Sequence, residues 1–284
     1  MKKTFGLIVS LSVILLLNTG VPATYAESLI ALSSTDPGVL YDVSTANGAA
    51  TFRTTISTGE LASFTGLASL AGKLYATDIA PPGYSFGTIN PITGAFTMIN
   101  NQGDSANWHG LAGAEGRGLL YSIDQDNNNR LVSITAGGVI TNIGGGTGIE
   151  GRGMAFDNNH GILYATGPEF EIQSLYTVDT TTGTATLIGS TGIDSFLIGL
   201  EYDETTDTLY MLADLDNDGT GFPNLYSLST TTGGATLIGS TGVDQLDGLA
   251  SLPAAAVPEP TTMLLLGSGL IGLAGYGRKK FFKK

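Results

Sequence analysis

Apolar and polar residues alternate along this chain in short runs, broken every few positions by Gly, Thr, Asn or Asp. A period of two marks half-buried strands, and the 3.6-residue period of an amphipathic helix is almost absent from the body of the chain. The clearest stretch is Leu175-Tyr-Thr-Val-Asp-Thr-Thr-Thr-Gly-Thr-Ala-Thr-Leu-Ile-Gly-Ser-Thr-Gly-Ile-Asp194. It returns at 225–244 with 15 of 20 positions identical. Within it a strand-forming run (Leu175 to Asp179) meets a Thr/Gly turn and a second such run (Thr184 to Ile188), which is the grammar of an antiparallel hairpin. A hairpin this small cannot bury its own apolar face, so its recurrence predicts a stack of like units.

Two further marks set the period. Gly followed by an apolar residue opens a short run at Gly66-Leu67, Gly110-Leu111, Gly153-Met154, Gly199-Leu200 and Gly248-Leu249, at separations of 44, 43, 46 and 49 residues. A Leu-Tyr pair starts a second run at Leu74, Leu120, Leu163 and Leu209, and the hairpin follows. One unit thus reads as four short strands, in the fourth copy Gly199–Tyr202, Thr208–Ala213, Leu225–Leu228 and Ala235–Ile238. Four strands per period of about 45 residues is one blade of a β-propeller. Residues 28–59 look like a unit lacking its first strand, and residues 247–252 look like a first strand lacking the rest. Joining them gives a fifth unit and removes exposed sheet edges. The expected fold is therefore all-β, a five-bladed β-propeller of four-stranded repeats over residues 27–253, closed by its N- and C-terminal strands. An open solenoid or a sandwich of the same hairpins is the competing arrangement.

Both ends lie outside this pattern. Met1-Lys2-Lys3, the apolar run Gly6 to Leu17 and the small residues around Ala23 to Ala26 read as a secretory signal peptide, 1–26, with an apolar helix. At the other end comes a linker, 254–261, then an apolar segment rich in small residues (Thr262 to Gly277), and then Arg278, Lys279, Lys280, Lys283 and Lys284. About 16 apolar residues is marginal for a helix crossing a bilayer core of about 30 Å. The ordered set of Pro258-Glu259-Pro260, apolar segment and basic end resembles the PEP-CTERM sorting signal of exported bacterial proteins. That resemblance covers about a tenth of the chain. It implies export, recognition by an exosortase-type membrane transpeptidase, removal of the tail, and delivery to the envelope, outer surface or medium after transient anchoring in the membrane. It implies nothing about the body.

Composition narrows the partners. The chain has no cysteine, so an exported body must be held by core burial, ladder hydrogen bonds or metal. Residues 27–256 carry five basic side chains against 24 acids, a formal −19. Such a surface repels nucleic acid and anionic lipid and attracts cations.

Two places could carry chemistry. Asp214-Leu-Asp216-Asn-Asp218-Gly219 sets three carboxylates at alternate positions before a Gly, a spacing that can wrap oxygens around Ca2+. It departs from an EF-hand, since Phe222 and Leu225 stand where acids would be needed, and a solvated acidic turn competes with it. Asp124 to Asn129 is a weaker relative with Asp124 and Asp126. The second place is the set of residues before each opening Gly: Thr65, His109, Arg152, Ile198 and Asp247. First strands lie nearest the propeller axis, so these five should meet at one mouth of the channel, with Trp108, Glu150 and Asp244 nearby. Trp108, His109, Arg152 and Asp247 form a polar set with one aromatic, suited to a sugar or another polar ligand; a simple water-filled cap is the alternative. Catalysis has thinner support: His109 and His160 are not spaced for metal, His160 reads as a turn residue, and Gly144 to Gly148 lacks the Lys of a phosphate loop. The expected function is a non-enzymatic binding or matrix module, with exopolysaccharide as one partner. A glycan hydrolase using Asp247, Glu150 or Asp244 is the runner-up.

Overall fold

The computed structural model describes residues 28–35, 37–57, 63–78, 84–103, 107–168, 171–195, 198–214 and 221–252. The signal peptide and both predicted terminal helices lie outside the described residues. Among the described residues no helix is long and apolar enough to cross a membrane.

The described residues form twenty strands in chain order. They are β1 (Ser28–Ser33), β2 (Val39–Val43), β3 (Ala50–Thr55), β4 (Phe64–Leu70), β5 (Lys73–Asp78), β6 (Tyr84–Ile89) and β7 (Phe96–Gly103). Next come β8 (Trp108–Ala114), β9 (Leu119–Asp124), β10 (Arg130–Thr135), β11 (Ile140–Ile143), β12 (Met154–Asp157), β13 (Ile162–Gly167), β14 (Ile172–Val178) and β15 (Ala185–Asp194). The last are β16 (Ile198–Asp203), β17 (Thr208–Ala213), β18 (Asn224–Leu228), β19 (Ala235–Ser240) and β20 (Leu246–Leu252). They form five antiparallel sheets of four: β4 to β7, β8 to β11, β12 to β15, β16 to β19, and a fifth in the order β20-β1-β2-β3. The fifth sheet joins the two ends of the domain, with Ser28 opposite Leu252 and Ala31 opposite Leu249. The expected closure is present, and the fold is a five-bladed propeller.

The first strand of each blade faces the axis, and the opening glycines explain how tightly. A Cβ on Gly66 would lie 3.1 Å from the Gly110 carbonyl carbon, one on Gly110 2.4 Å from the Arg152 oxygen, and one on Gly153 2.8 Å from Ile198. A Cβ on Gly199 would meet Leu249 at 2.9 Å, and one on Gly248 would meet Leu67 at 2.8 Å. Each blade therefore presses its glycine against the next, all the way round. The axial void left between them is only about 10 Å³, enough for a single water. The axis is a packed plug, not a pore.

A second circle of contacts runs round the rim. The hairpin turns bring Gly48 against the Gly239 carbonyl, Gly94 against Thr55, Gly138 against Asn100, Gly183 against Ile143 and Gly233 against Gly189. This is the physical content of the repeated Thr-Thr-Gly and Leu-Ile-Gly-Ser: a bare turn on one blade seats on the bare, bulged outer strand of its neighbour. Between the two circles lie five apolar clusters, each shared by two adjacent blades. The Leu-Tyr pairs belong here. Tyr121 stacks on Phe156 of the next blade with ring centroids 5.9 Å apart, and Tyr164 on Tyr202 at 6.1 Å.

Candidate functional site

The five residues before the opening glycines are all buried at one end of the axis. Thr65, Ile198 and Asp247 border the axial void itself. Three of the set make a polar network across blades. Arg152 Nη1 donates to His109 Nδ1 at 2.7 Å. A guanidinium has no acceptor, so Nδ1 must be the unprotonated nitrogen and the proton sits on Nε2. Asp247 Oδ1 accepts the Ile198 N–H at 3.3 Å, and Thr65 Oγ1 donates to the Trp108 carbonyl at 2.8 Å.

Burial sets the electrostatics of this network. Burial, helped by the neighbouring Arg152 charge, holds the His109 imidazole down at about 3. Burial also pushes the Asp247 carboxyl up to about 7, against the pull of Arg152 and the Ile198 N–H and with a further push from Asp214. The Arg152 pKa is lowered by burial, an effect that Asp247 and Glu150 oppose. His109, Arg152 and Asp247 thus behave as one coupled group. Trp108 does not share it: its indole packs in the cluster with Tyr75, Phe86 and Leu111 between two blades. Glu150 and Asp244 are exposed, and Asp244 Oδ1 accepts the Gly221 N–H at 2.8 Å.

Asp214 is buried and turned toward the same end of the axis, where its Oδ1 accepts from Ser195 Oγ at 2.8 Å. It stands one residue past β17, much as Asp78 and Asp124 end β5 and β9. Asp78 Oδ1 holds the Ser63 N–H at 2.7 Å, and Asp124 accepts backbone N–H groups from Asn107 and from its own turn. In three blades, then, an Asp at the end of the second strand fastens the segment leading into the first. Asp216 and Asp218, the other members of the expected calcium loop, lie outside the described residues. Among the described residues no three His, Cys, Asp or Glu side chains are grouped so as to hold a metal ion. His160 is a turn residue as expected, its ring bonded to Asp157 at 2.8 Å.

The opposite end of the axis carries a feature that the repeat did not announce. A cavity of about 220 Å³ opens there, lined in part by Phe156, Glu201 and Ser251 from the inner strands and by Glu115, Asn158 and Glu204 from the turns that follow them. The glutamates tie blades together. Glu115 Oε1 accepts the Ala71 N–H at 2.7 Å. Glu204 accepts the N–H groups of Asn158 at 2.6 Å and Asn159 at 3.1 Å. Glu201 Oε1 accepts both the N–H (2.9 Å) and the hydroxyl (2.5 Å) of Ser251. The signal available in the sequence was an acid within a few residues of the inner strand's end (Ala114-Glu115, Tyr202-Asp-Glu204), which passes for ordinary turn polarity.

Comparison with known proteins agrees with both halves of the chain. Residues 256–279 match the PEP-CTERM protein-sorting motif; Pro258, Glu259 and Pro260 fall inside the match and outside the described residues. No curated protein matches the chain. Among solved structures, a chain from a nidogen/laminin complex is similar at TM-score 0.56 and 14% identity, over 81% of this chain and 100% of that one. TolB from Acinetobacter baumannii is similar at TM-score 0.52 and 11% identity, over 80% of this chain and 56% of TolB. Identities this low speak for the fold alone. The chain is an exported five-bladed β-propeller protein bearing a PEP-CTERM sorting motif.

Proposed function

We propose that the propeller is a non-enzymatic binding module of the cell envelope that takes an exopolysaccharide, or another envelope polymer, at the mouth built by His109, Arg152 and Asp247. The observation that carries this reading is the convergence of an imidazole, a guanidinium and a carboxyl from three blades at one end of a sealed axis. Burying ionisable groups costs several kcal/mol each unless geometry compensates, and the equivalent position in a fourth blade shows the cheaper solution, Ile198. Titratable clusters held away from their ordinary pKa concentrate at functional sites. The plugged axis confines a ligand to the rim, and the body's formal −19 selects a neutral or cationic polymer over a polyanion.

The route to the envelope follows from the sorting motif. An exosortase-type transpeptidase would act at Pro258-Glu259-Pro260 while the apolar segment holds the chain transiently in the membrane. Leu252 ends β20 at the far end from Asp247, so the described chain ends on the face opposite the mouth. A tethered propeller therefore presents His109 and Arg152 outward.

One observation favours a second reading, a glycan hydrolase. An Asp247 carboxyl held near 7 suits a general acid, with Glu150 or Asp244 as its partner. One experiment separates the two: a panel of neutral and amino-containing polysaccharides assayed in parallel for binding and for reducing-sugar release. Binding without release, weakened about tenfold by Arg152→Met, is expected. Release that disappears in Asp247→Asn establishes the hydrolase. A panel that shows neither binding nor release overturns both readings.

A further inference from the structure

One row of side chains at the His109 end of the propeller is left unsatisfied by the fold. Trp108 on β8 stands opposite Asp124 on β9, and Asp124 opposite Arg130 on β10. Side chains opposite one another in an antiparallel sheet share a face. Here that face packs on the neighbouring blade, where Trp108 meets Tyr75 and Phe86. Trp108 and Asp124 are buried and Arg130 is half-buried. Trp108 Nε1, Asp124 Oδ1 and Arg130 Nε are each enclosed without a hydrogen-bond partner. The row thus reads donor, acceptor, donor. Orphaned groups of this kind are costly, and other blades avoid them. Asp78 Oδ1 and Asp214 Oδ1, at the place of Asp124, are satisfied by Ser63 and Ser195. Phe64 and Leu246, at the place of Trp108, are buried with no side-chain N–H to satisfy.

The geometry points to a subsite on this row for two hydroxyls of one neutral sugar residue. It rests on the reading that this end of the propeller meets a polysaccharide, and it names the groups recognised there. The Asp124 oxygen has two lone pairs. Each hydroxyl accepts one N–H, from Trp108 or from Arg130, and donates its proton to the oxygen between them. A carboxylate or phosphate serves the two donors alone, and an ammonium serves the acceptor alone. The sugar enters from the half-buried Arg130 side, since the next blade closes over Trp108.

Calorimetric titration of the purified protein with dextran, inulin, mannan and polyethylene glycol tests the assignment. At least one of the three polysaccharides should bind. Polyethylene glycol, whose ether oxygens accept hydrogen bonds but donate none, should not. Trp108 is the only tryptophan in the chain, so tryptophan emission should change as the polysaccharide binds. Arg130→Met keeps the stem of a half-buried side chain, carries little folding risk, and should weaken binding about fivefold. Trp108→Phe retains the apolar packing and should weaken it to a similar degree. Lys73→Gln, at the opposite face, should leave binding unchanged. Affinity lost in Arg152→Met but untouched in Arg130→Met and Trp108→Phe would keep the mouth and overturn the subsite, leaving ordered water as the partner of the row. Affinity lost in those two variants but untouched in Arg152→Met would keep the subsite and overturn the mouth. Binding of none of the three polysaccharides, or binding with unchanged emission, would overturn the subsite.

Discussion

Arg152 and His109 stand on adjacent blades with Nη1 and Nδ1 2.7 Å apart, so the histidine is fixed as an acceptor and kept neutral. Asp247 is held up at about 7 by burial, against the pull of the same guanidinium. The two shifts act on stability with opposite signs. A histidine at about 3 in the fold and about 6.5 unfolded takes up its proton preferentially on unfolding, so its contribution is full above 6.5 and falls as pH drops toward 3. A carboxyl at about 7 in the fold, against 3.8, contributes fully below 3.8 and loses that contribution as pH rises through 7. Between about 4 and 6.5 the slopes cancel.

Denaturant melts across pH should therefore show a flat region in the wild-type protein and opposite tilts in two variants. His109→Gln leaves the Asp247 slope, and stability should fall as pH rises from about 4 to 7. Asp247→Asn leaves the histidine slope, and stability should rise over about 3 to 6.5. Parallel profiles for all three proteins would show that the groups do not titrate as stated.

The rim contacts make a second prediction. A Cβ on Gly239 would sit 2.1 Å from the Asn47 carbonyl oxygen, and one on Gly189 2.1 Å from that of Thr232. Gly239→Ala or Gly189→Ala should each destabilise by about 1–3 kcal/mol, the usual cost of overpacking. Gly116, with nothing within 4 Å of its added Cβ, is the control, and Gly116→Ala should be neutral or slightly stabilising. Thermal melts of the three variants decide it.

How much of this was written in the chain depends on what repeats. The opening glycines and Leu-Tyr pairs recur because every blade meets the same neighbour in the same way, so blade count, strand order and the terminal closure could be read directly. The strand bounds of the fourth unit differ from expectation by one or two residues, for example Ala235–Ser240 against Ala235–Ile238. Side-chain direction was less legible. His109, Arg152 and Asp247 meet as expected, but Trp108, next in sequence, turns its indole between blades; residue order does not state which side of a strand faces the core when both are buried. The cavity near Glu201 was invisible because its acids do not repeat: Glu115 and Glu204 stand at the same place in two blades, where Ala71 and Asn158 stand in two others, Glu201 comes from a different place, and only the ring gathers them.

Closure of the ring can be cut at a chosen point. Truncation after Gln245 removes β20 and exposes the edge of β1, leaving Ile30 and Ala31 without Ala250 and Leu249. That protein should fail to fold cooperatively, whereas truncation after Leu252 should melt like the parent. Far-UV circular dichroism and a denaturant titration of the pair give the answer. A folded 1–245 chain would show that β20 is dispensable.

Chelation tests the calcium expectation attached to Asp214, Asp216 and Asp218. Calcium bound to the folded state raises the melting temperature by mass action. EDTA should then lower it, and Asp216→Ala should abolish the difference. Superimposable melts with and without chelator would leave these residues as an acidic turn, with Asp214 accepting from the Ser195 hydroxyl.

The pairing of Ser28 with Leu252 has a consequence for secretion. A polypeptide threaded from its amino end delivers nineteen strands before the one that completes the first blade, so vectorial folding outside the membrane stays unfinished until residue 252 has emerged. The sorting motif begins four residues later, at 256. Completion of the domain and arrival of the sorting motif are thereby placed at the same stage of export.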